Sequence, residues 1–270
     1  MQNIKLRKPT TELNAIRGPK GLIAYNTDDG SIRCYDGEVL GGWRFEGSPV
    51  VFPIPGPSEL IAGDSTAGFY GEVASSIFIS GTELIQKVGL SSGVVMSEMP
   101  IWLKFALDGR VLFIPKIPIS RSLSWNNLQS ANLLYGDTEV AIFNRTYRVR
   151  LIKGANSDPS LNQWDYDSSA THGSEWNRLM YHVSNGEFAQ GDGSLASEGI
   201  TVGDWAQYSE EELGVGSQRP GSLTICQETH GYGAGYYVGR GYRGVSEITY
   251  SSKTGISDYR GWRPVLELVE

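Results

Sequence analysis

Cysteine and histidine are scarce in this 270-residue chain. Two thiols, Cys34 and Cys226, stand too far apart for a disulfide scaffold or a thiolate zinc site. The three histidines, His172, His182 and His230, form no H-E-x-x-H pair, and no G-x-S-x-G elbow occurs. No apolar run approaches the ~18 residues of a membrane span. Met1 to Thr10 carry charge without an apolar stretch, so neither membrane insertion nor a secretory leader is expected. A cationic surplus is missing as well. The net charge is −7, all of it in residues 136–270, and residues 154–212 hold eleven acids against the single base Arg178. Such a surface repels phosphate backbones, which excludes general nucleic-acid binding.

Glycine and aromatic residues are plentiful: 34 Gly, 14 Tyr, 8 Phe and 7 Trp. With 40% apolar residues, this is a folded, β-rich composition and not a disordered one. The expected class is α+β and mostly β, in three parts. Residues 1–46 form a basic arm with Lys5, Arg7, Lys8, Arg17 and Lys20, then a hairpin with strands Leu22–Tyr25 and Ser31–Tyr35 around an Asn/Asp/Gly turn. Such a hairpin is marginal alone, so Lys5, Arg7, Lys8, Arg17, Tyr25 and Tyr35 are the candidates for attachment or self-association. Residues 47–66, with Pro49, Pro53, Pro55 and Pro57, read as a semi-rigid connector. Residues 67–270 form a head of short helices, strands and long loops.

Within the head, Ser80-Gly81-Thr82-Glu83 spells a helix capping box, and Ile101–Ala106 with Val111–Ile114 around Asp108-Gly109 spells a hairpin. Ser124 is expected to cap a helix running to about Leu134 and ended by Gly136. Val140–Phe143 and Thr146–Leu151 read as a second hairpin, turning at Asn144-Arg145 and wet on one face. Ser174 caps a short helix, Ser209 to Glu212 forms another capping box, and Gly261–Val269 reads as one closing strand.

Gly239-Arg240-Gly241-Tyr242-Arg243-Gly244 matches G-x-G-x-x-G, but a strand-like segment follows where a dinucleotide fingerprint requires a helix, so no cofactor is expected. Six of the fourteen residues from Gly231 to Gly244 are glycine, interleaved with Tyr232, Tyr236, Tyr237, Arg240, Tyr242 and Arg243. That is the composition of a recognition loop: Tyr supplies contact area at low entropic cost and Gly lets the backbone adapt. Trp164 and Tyr166 join it as candidates from a neighbouring loop. Cys226, inside an apolar run, reads as a structural thiol. Asp158, Asp165, Asp167 and Glu175 are close enough in sequence for a hydrolytic pair or a calcium loop, but read first as a solvated acidic face.

Two stretches resemble proteins of tailed-phage virions. Arg17-Gly18-Pro19-Lys20-Gly21-Leu22-Ile23-Ala24-Tyr25-Asn26-Thr27, with Cys34-Tyr35-Asp36-Gly37 and Trp43, resembles a hairpin near fibre attachment regions. Trp102–Phe105, Asp108–Ile114, Tyr147–Leu151, Gly173–Met180 and Gly261–Leu266 resemble phage virion proteins, and the last is similar to the closing strand of C-type-lectin-like folds. The resemblance implies a fibre, collar or decoration subunit, without enzymatic activity and commonly trimeric. Its arm would bind other virion proteins, and its head would meet a host surface glycan or protein. A purely structural adapter and a polysaccharide-degrading enzyme are the alternatives. The lectin calcium motif Trp-Asn-Asp is not met, since Trp176-Asn177 runs into Arg178, and the paired cysteines of formylglycine-generating enzymes are absent.

Overall fold

The computed structural model describes residues 6–18, 22–28, 32–35, 38, 40, 42–44, 54–160, 174–185, 205–216, 219–231 and 233–269. The chain divides into two compact units, Met1–Pro53 and Ile54–Glu270.

The first unit is a four-stranded sheet in chain order, β1 (Leu6–Lys8), β2 (Ile23–Asn26), β3 (Ile32–Cys34) and β4 (Trp43–Arg44). The hairpin β2–β3 forms where its turn chemistry puts it, with Asn26 Oδ1 accepting from the backbone N–H of Asp28. The basic arm, however, is not only an arm. Its β1 pairs in parallel with β2, and α1 (Thr10–Asn14) bridges the two. Three residues of strand carry no readable period, and a parallel partner lies too far along the chain for local patterning to announce it. Leu13, Ala24 and Tyr35 form the buried centre.

The second unit contains two sheets. One has seven antiparallel strands in the order β11 (Tyr135–Ile142), β12 (Arg145–Leu151), β17 (Pro264–Val269), β9 (Arg110–Pro115), β8 (Ile101–Leu107), β6 (Ala67–Ala74) and β5 (Ala62–Gly63). The other has six: β15 (Ile248–Ser252), β14 (Tyr236–Arg240), β13 (Leu223–Thr229), β16 (Arg260–Trp262), β10 (Ser120–Arg121) and β7 (Val94–Val95), all antiparallel except β13–β16. The architecture is mostly β with a few short helices. The central strands are buried on both faces. Trp102 and Phe113 enter one core cluster, while Leu103, Phe105, Leu112 and Ile114 enter the other. That is why β8 is a nearly continuous apolar run instead of an alternating one. Helices α2 (Gly81–Lys87) and α3 (Trp125–Ser130) pack on the first cluster through Leu84, Trp125 and Leu128. A π-helical turn, Trp176–Tyr181, packs on the second.

Several sequence expectations change. The connector's residues 54–66 belong to the second unit: Ile54 packs on its core, Lys104 Nζ donates to the Pro57 carbonyl at 2.6 Å, and β5 is a sheet strand. Residues 47–53 lie outside the described residues. Helix α3 stops at Ser130, followed by Asn132 at φ +57°, and Gly136 belongs to β11, at an irregularity where a Cβ would meet the Arg148 side chain at 2.4 Å. The second hairpin turns at Phe143-Asn144, one residue early, and its supposedly wet strand buries Arg150. The Ser209–Glu212 box closes a single turn, with the Ser209 N–H donating to Glu212 Oε2 at 2.9 Å. The closing strand is two strands, β16 and β17, which lie in different sheets and part at Arg263.

Candidate functional site

The head is braced by buried charge. Arg150 in β12 forks onto Glu175 at 2.7 and 2.8 Å, while its Nε donates to Glu267 of β17 at 3.0 Å. Arg150 is further held by its two carboxylates in the charged form, although burial opposes it. Arg263, at the crossing between sheets, donates to the carbonyls of Pro115 (3.0 Å) and Leu213 (2.6 Å) and to Thr224 Oγ1 (3.2 Å). Burial pulls its pKa down to about 9, so it stays charged at neutral pH. These groups fix where the π-helical turn and the last strand lie; they are not presented to a ligand.

The middle of the 231–244 segment is the strand β14 and not a loop, and its alternate side chains enter two cores: Tyr237 one, Val238 the other. Tyr237 and Arg240 are therefore buried. Arg240 donates to Asn177 Oδ1 at 2.6 Å and to the Ser246 carbonyl at 3.2 Å, and lies over the Trp176 ring. Neither can meet a partner. Tyr236, 43% exposed, opens β14, and Tyr242 and Arg243 follow its other end, so the five-residue strand separates them by roughly 17 Å. Gly241, at φ +87°, makes the turn that presents Tyr242, and the G-x-G-x-x-G match leads into β15 with no helix. Trp164, Tyr166 and Tyr232 lie outside the described residues.

Of the attachment candidates, Tyr35 is core: its hydroxyl donates to the Leu13 carbonyl at 3.1 Å. Lys8 pairs with Glu12, Arg17 is exposed, Tyr25 is half-buried in β2, Arg7 contributes its backbone to β1, and Lys5 is outside the described residues.

The acidic stretch is not a simple solvated face. Glu175 is the Arg150 partner, Asp158 accepts from the Thr229 N–H and hydroxyl, and Glu210 accepts from the Val245 N–H at 2.7 Å. Glu211 pairs with Arg219 and Glu212 with Lys116. Asp165, Asp167 and His172 lie outside the described residues. Glu228 is buried, accepts from the Gly154 N–H at 2.9 Å, and has Glu175 and Asp158 in its surroundings; burial first, then these like charges, push its pKa up to about 8. Cys226 is buried and free, its thiol held protonated by burial; Cys34 is free as well. Among the described residues no group of three His, Cys, Asp or Glu can hold a metal ion, and no helix is long and apolar enough to cross a membrane.

What remains presented is a patch at the end of β14. The Tyr242 and Tyr259 rings meet at 4.9 Å and 49°, both half-exposed. The Arg243 side chain, next in the chain to Tyr242, is 60% exposed, with Nε 3.7 Å from Glu247 Oε1, and on the turn whose Gly216 N–H reaches Gly241, Arg219 lies 3.2 Å from Glu211. The backbones beneath are tied together: the Gly216 N–H donates to Gly241, the Gly221 N–H to Asp258 and the Leu223 N–H to Tyr259. Tyr259 and Arg219 were not legible as members, since they come from two other turns. No protein-family model and no curated protein matches the chain. It is similar to solved structures of the Major Tropism Determinant U1 and I1 variants, at 11% and 10% identity, covering 98% of this chain and 99% of each, with a TM-score of 0.25. The P3c variant stands at 10% identity and 0.23. Likenesses of that size decide neither the fold nor the function of this chain.

Proposed function

We propose that the chain is a non-enzymatic subunit of a tailed-phage virion appendage, whose second unit is a C-type-lectin-like head that contacts the host cell surface. The virion assignment rests on the sequence resemblance. The observation that carries host contact is the Tyr242–Tyr259 pair with Arg243, an exposed aromatic and guanidinium patch standing on a frame locked by buried ion pairs. Tyr and Arg concentrate binding energy at interfaces, and a rigid frame loses little entropy when it binds. Several copies acting together would raise weak contacts to useful avidity. The first unit joins other virion proteins, and a trimer supplies the copies. Light scattering of the full chain tests the assembly: three times 29.5 kDa is expected, and a monomer removes the avidity argument. Mass spectrometry of purified virions tests the location, and absence of the chain from the particles overturns it.

A second reading has its own observation. Ile77, Met99 and Ile101 are exposed, and Ile101 pairs with Ala74, directly before the Ser75–Ile77 turn. An adapter without a receptor would bury such residues against virion neighbours. Exposure of this set to solvent labelling on the intact particle counts against it.

A further inference from the structure

The patch at the end of β14 has a chemistry that narrows its ligand, an inference that rests on the host-contact reading above. Each of its guanidinium groups stands beside a carboxylate of the protein, Arg219 beside Glu211 at 3.2 Å and Arg243 beside Glu247 at 3.7 Å. An anionic ligand would have to displace those carboxylates and approach a chain of net charge −7. An uncharged polyol has neither difficulty. A sugar hydroxyl donates and accepts at once, so neighbouring hydroxyls satisfy both members of the exposed Arg219–Glu211 pair without breaking it, while Glu247 stays buried beneath Arg243. The rings supply the remainder. Two half-exposed tyrosines tilted by 49° present an aromatic face against which the C–H side of a pyranose packs, with phenol hydroxyls at the rim. No metal group exists among the described residues to take part.

We propose that Tyr242, Tyr259 and the exposed guanidinium of Arg243, with the Arg219–Glu211 pair on the neighbouring turn, form a binding site for a neutral saccharide that needs no calcium. The test is calorimetric titration of the full chain with short neutral β-glucan, α-mannan and β-galactan fragments, with oligogalacturonate as the charged counterpart, in the presence of EDTA. At least one neutral fragment is expected to bind, with affinity unchanged when calcium replaces EDTA. Tyr242→Ala and Tyr259→Ala should each weaken it about tenfold or more, while Tyr242→Phe keeps the ring and most of the affinity. Arg243→Lys, which keeps charge but loses the planar fork, should weaken it several-fold. Melting curves of each variant confirm that the head still folds. Absence of binding by every neutral fragment, binding of oligogalacturonate alone, dependence on calcium, or undiminished binding by Tyr242→Ala overturns the site. Adsorption of the labelled chain to host cells separates this inference from its premise. Adsorption abolished by periodate treatment of the cells supports the saccharide. Adsorption abolished only by protease overturns the saccharide and leaves host contact standing. If the chain does not adsorb at all, host contact itself fails, and the titration alone decides the site.

Discussion

The two units solve the same problem with unequal means. Among the described residues the first unit gathers three buried apolar residues, Leu13, Ala24 and Tyr35, whereas the second gathers clusters of 23 and 21. A core of three offsets only part of the entropy of ordering the described residues of that unit by apolar burial. The first unit therefore leans on individual hydrogen bonds: Tyr35 to Leu13, Thr10 Oγ1 with Asn26, and the Thr10 N–H to Asp28. The second has apolar burial to spare and can bury charges as braces. Stability in the first unit is spread over a few polar contacts, and in the second its weak points are the buried ions.

The comparison breaks first at Arg150. Arg150→Ala leaves Glu175 buried without its cation, while Glu267 keeps Arg110 at 3.2 Å, and the second unit should lose about 3–5 kcal/mol in urea unfolding. A loss below 1 kcal/mol would mean the pair is not a brace. Glu228 comes next. The unfolded chain releases this proton at the ordinary carboxylate value of 4.5, while the folded chain keeps it to about 8. The folded state thus binds more protons in that window, and its stability falls as pH rises from 4.5 to 8. Glu228→Gln keeps an acceptor for the Gly154 N–H, should flatten that slope, and should stabilise by about 1–3 kcal/mol at pH 8. In the first unit, Tyr35→Phe removes one hydrogen bond and should cost about 0.5–1.5 kcal/mol, enough to lower its melting separately from the second unit's. Melting of both units as one transition would contradict the contrast. An effect of the opposite sign belongs to Lys104, whose burial lowers its pKa from 10.5 to about 8. Between those values the unfolded chain holds the extra proton, so stability should rise with pH, and Lys104→Met should abolish the rise.

Elements written in local chemistry were legible. The β8–β9 hairpin turns at Asp108-Gly109, both at positive φ, and Ser80 and Ser124 cap their helices, Ser124 in a reciprocal box with Asn127 and Ser80 by accepting from the Glu83 N–H. The site was only half legible. Tyr242 and Arg243 stand out by composition, but so do Tyr237 and Arg240, which point into the cores. Composition counts residue types, while burial depends on the strand's two faces and on what covers each. Tyr259 and Arg219 joined the patch through backbone pairing between turns that no local pattern relates.

The sequence by itself determined the β-rich class, the Asp108-Gly109 turn with its two strands, and the Ser80 and Ser124 caps, because these depend on φ/ψ preference and on the hydrogen-bonding reach of neighbouring residues. Only the tertiary structure decided that the closing segment divides between two sheets at Arg263, that Glu175 neutralises Arg150, and that the ends of β14 and not its middle are presented. Those outcomes turn on partners from distant parts of the chain. Whether a charge is a brace or a contact depends on the carboxylate that folding brings beside it.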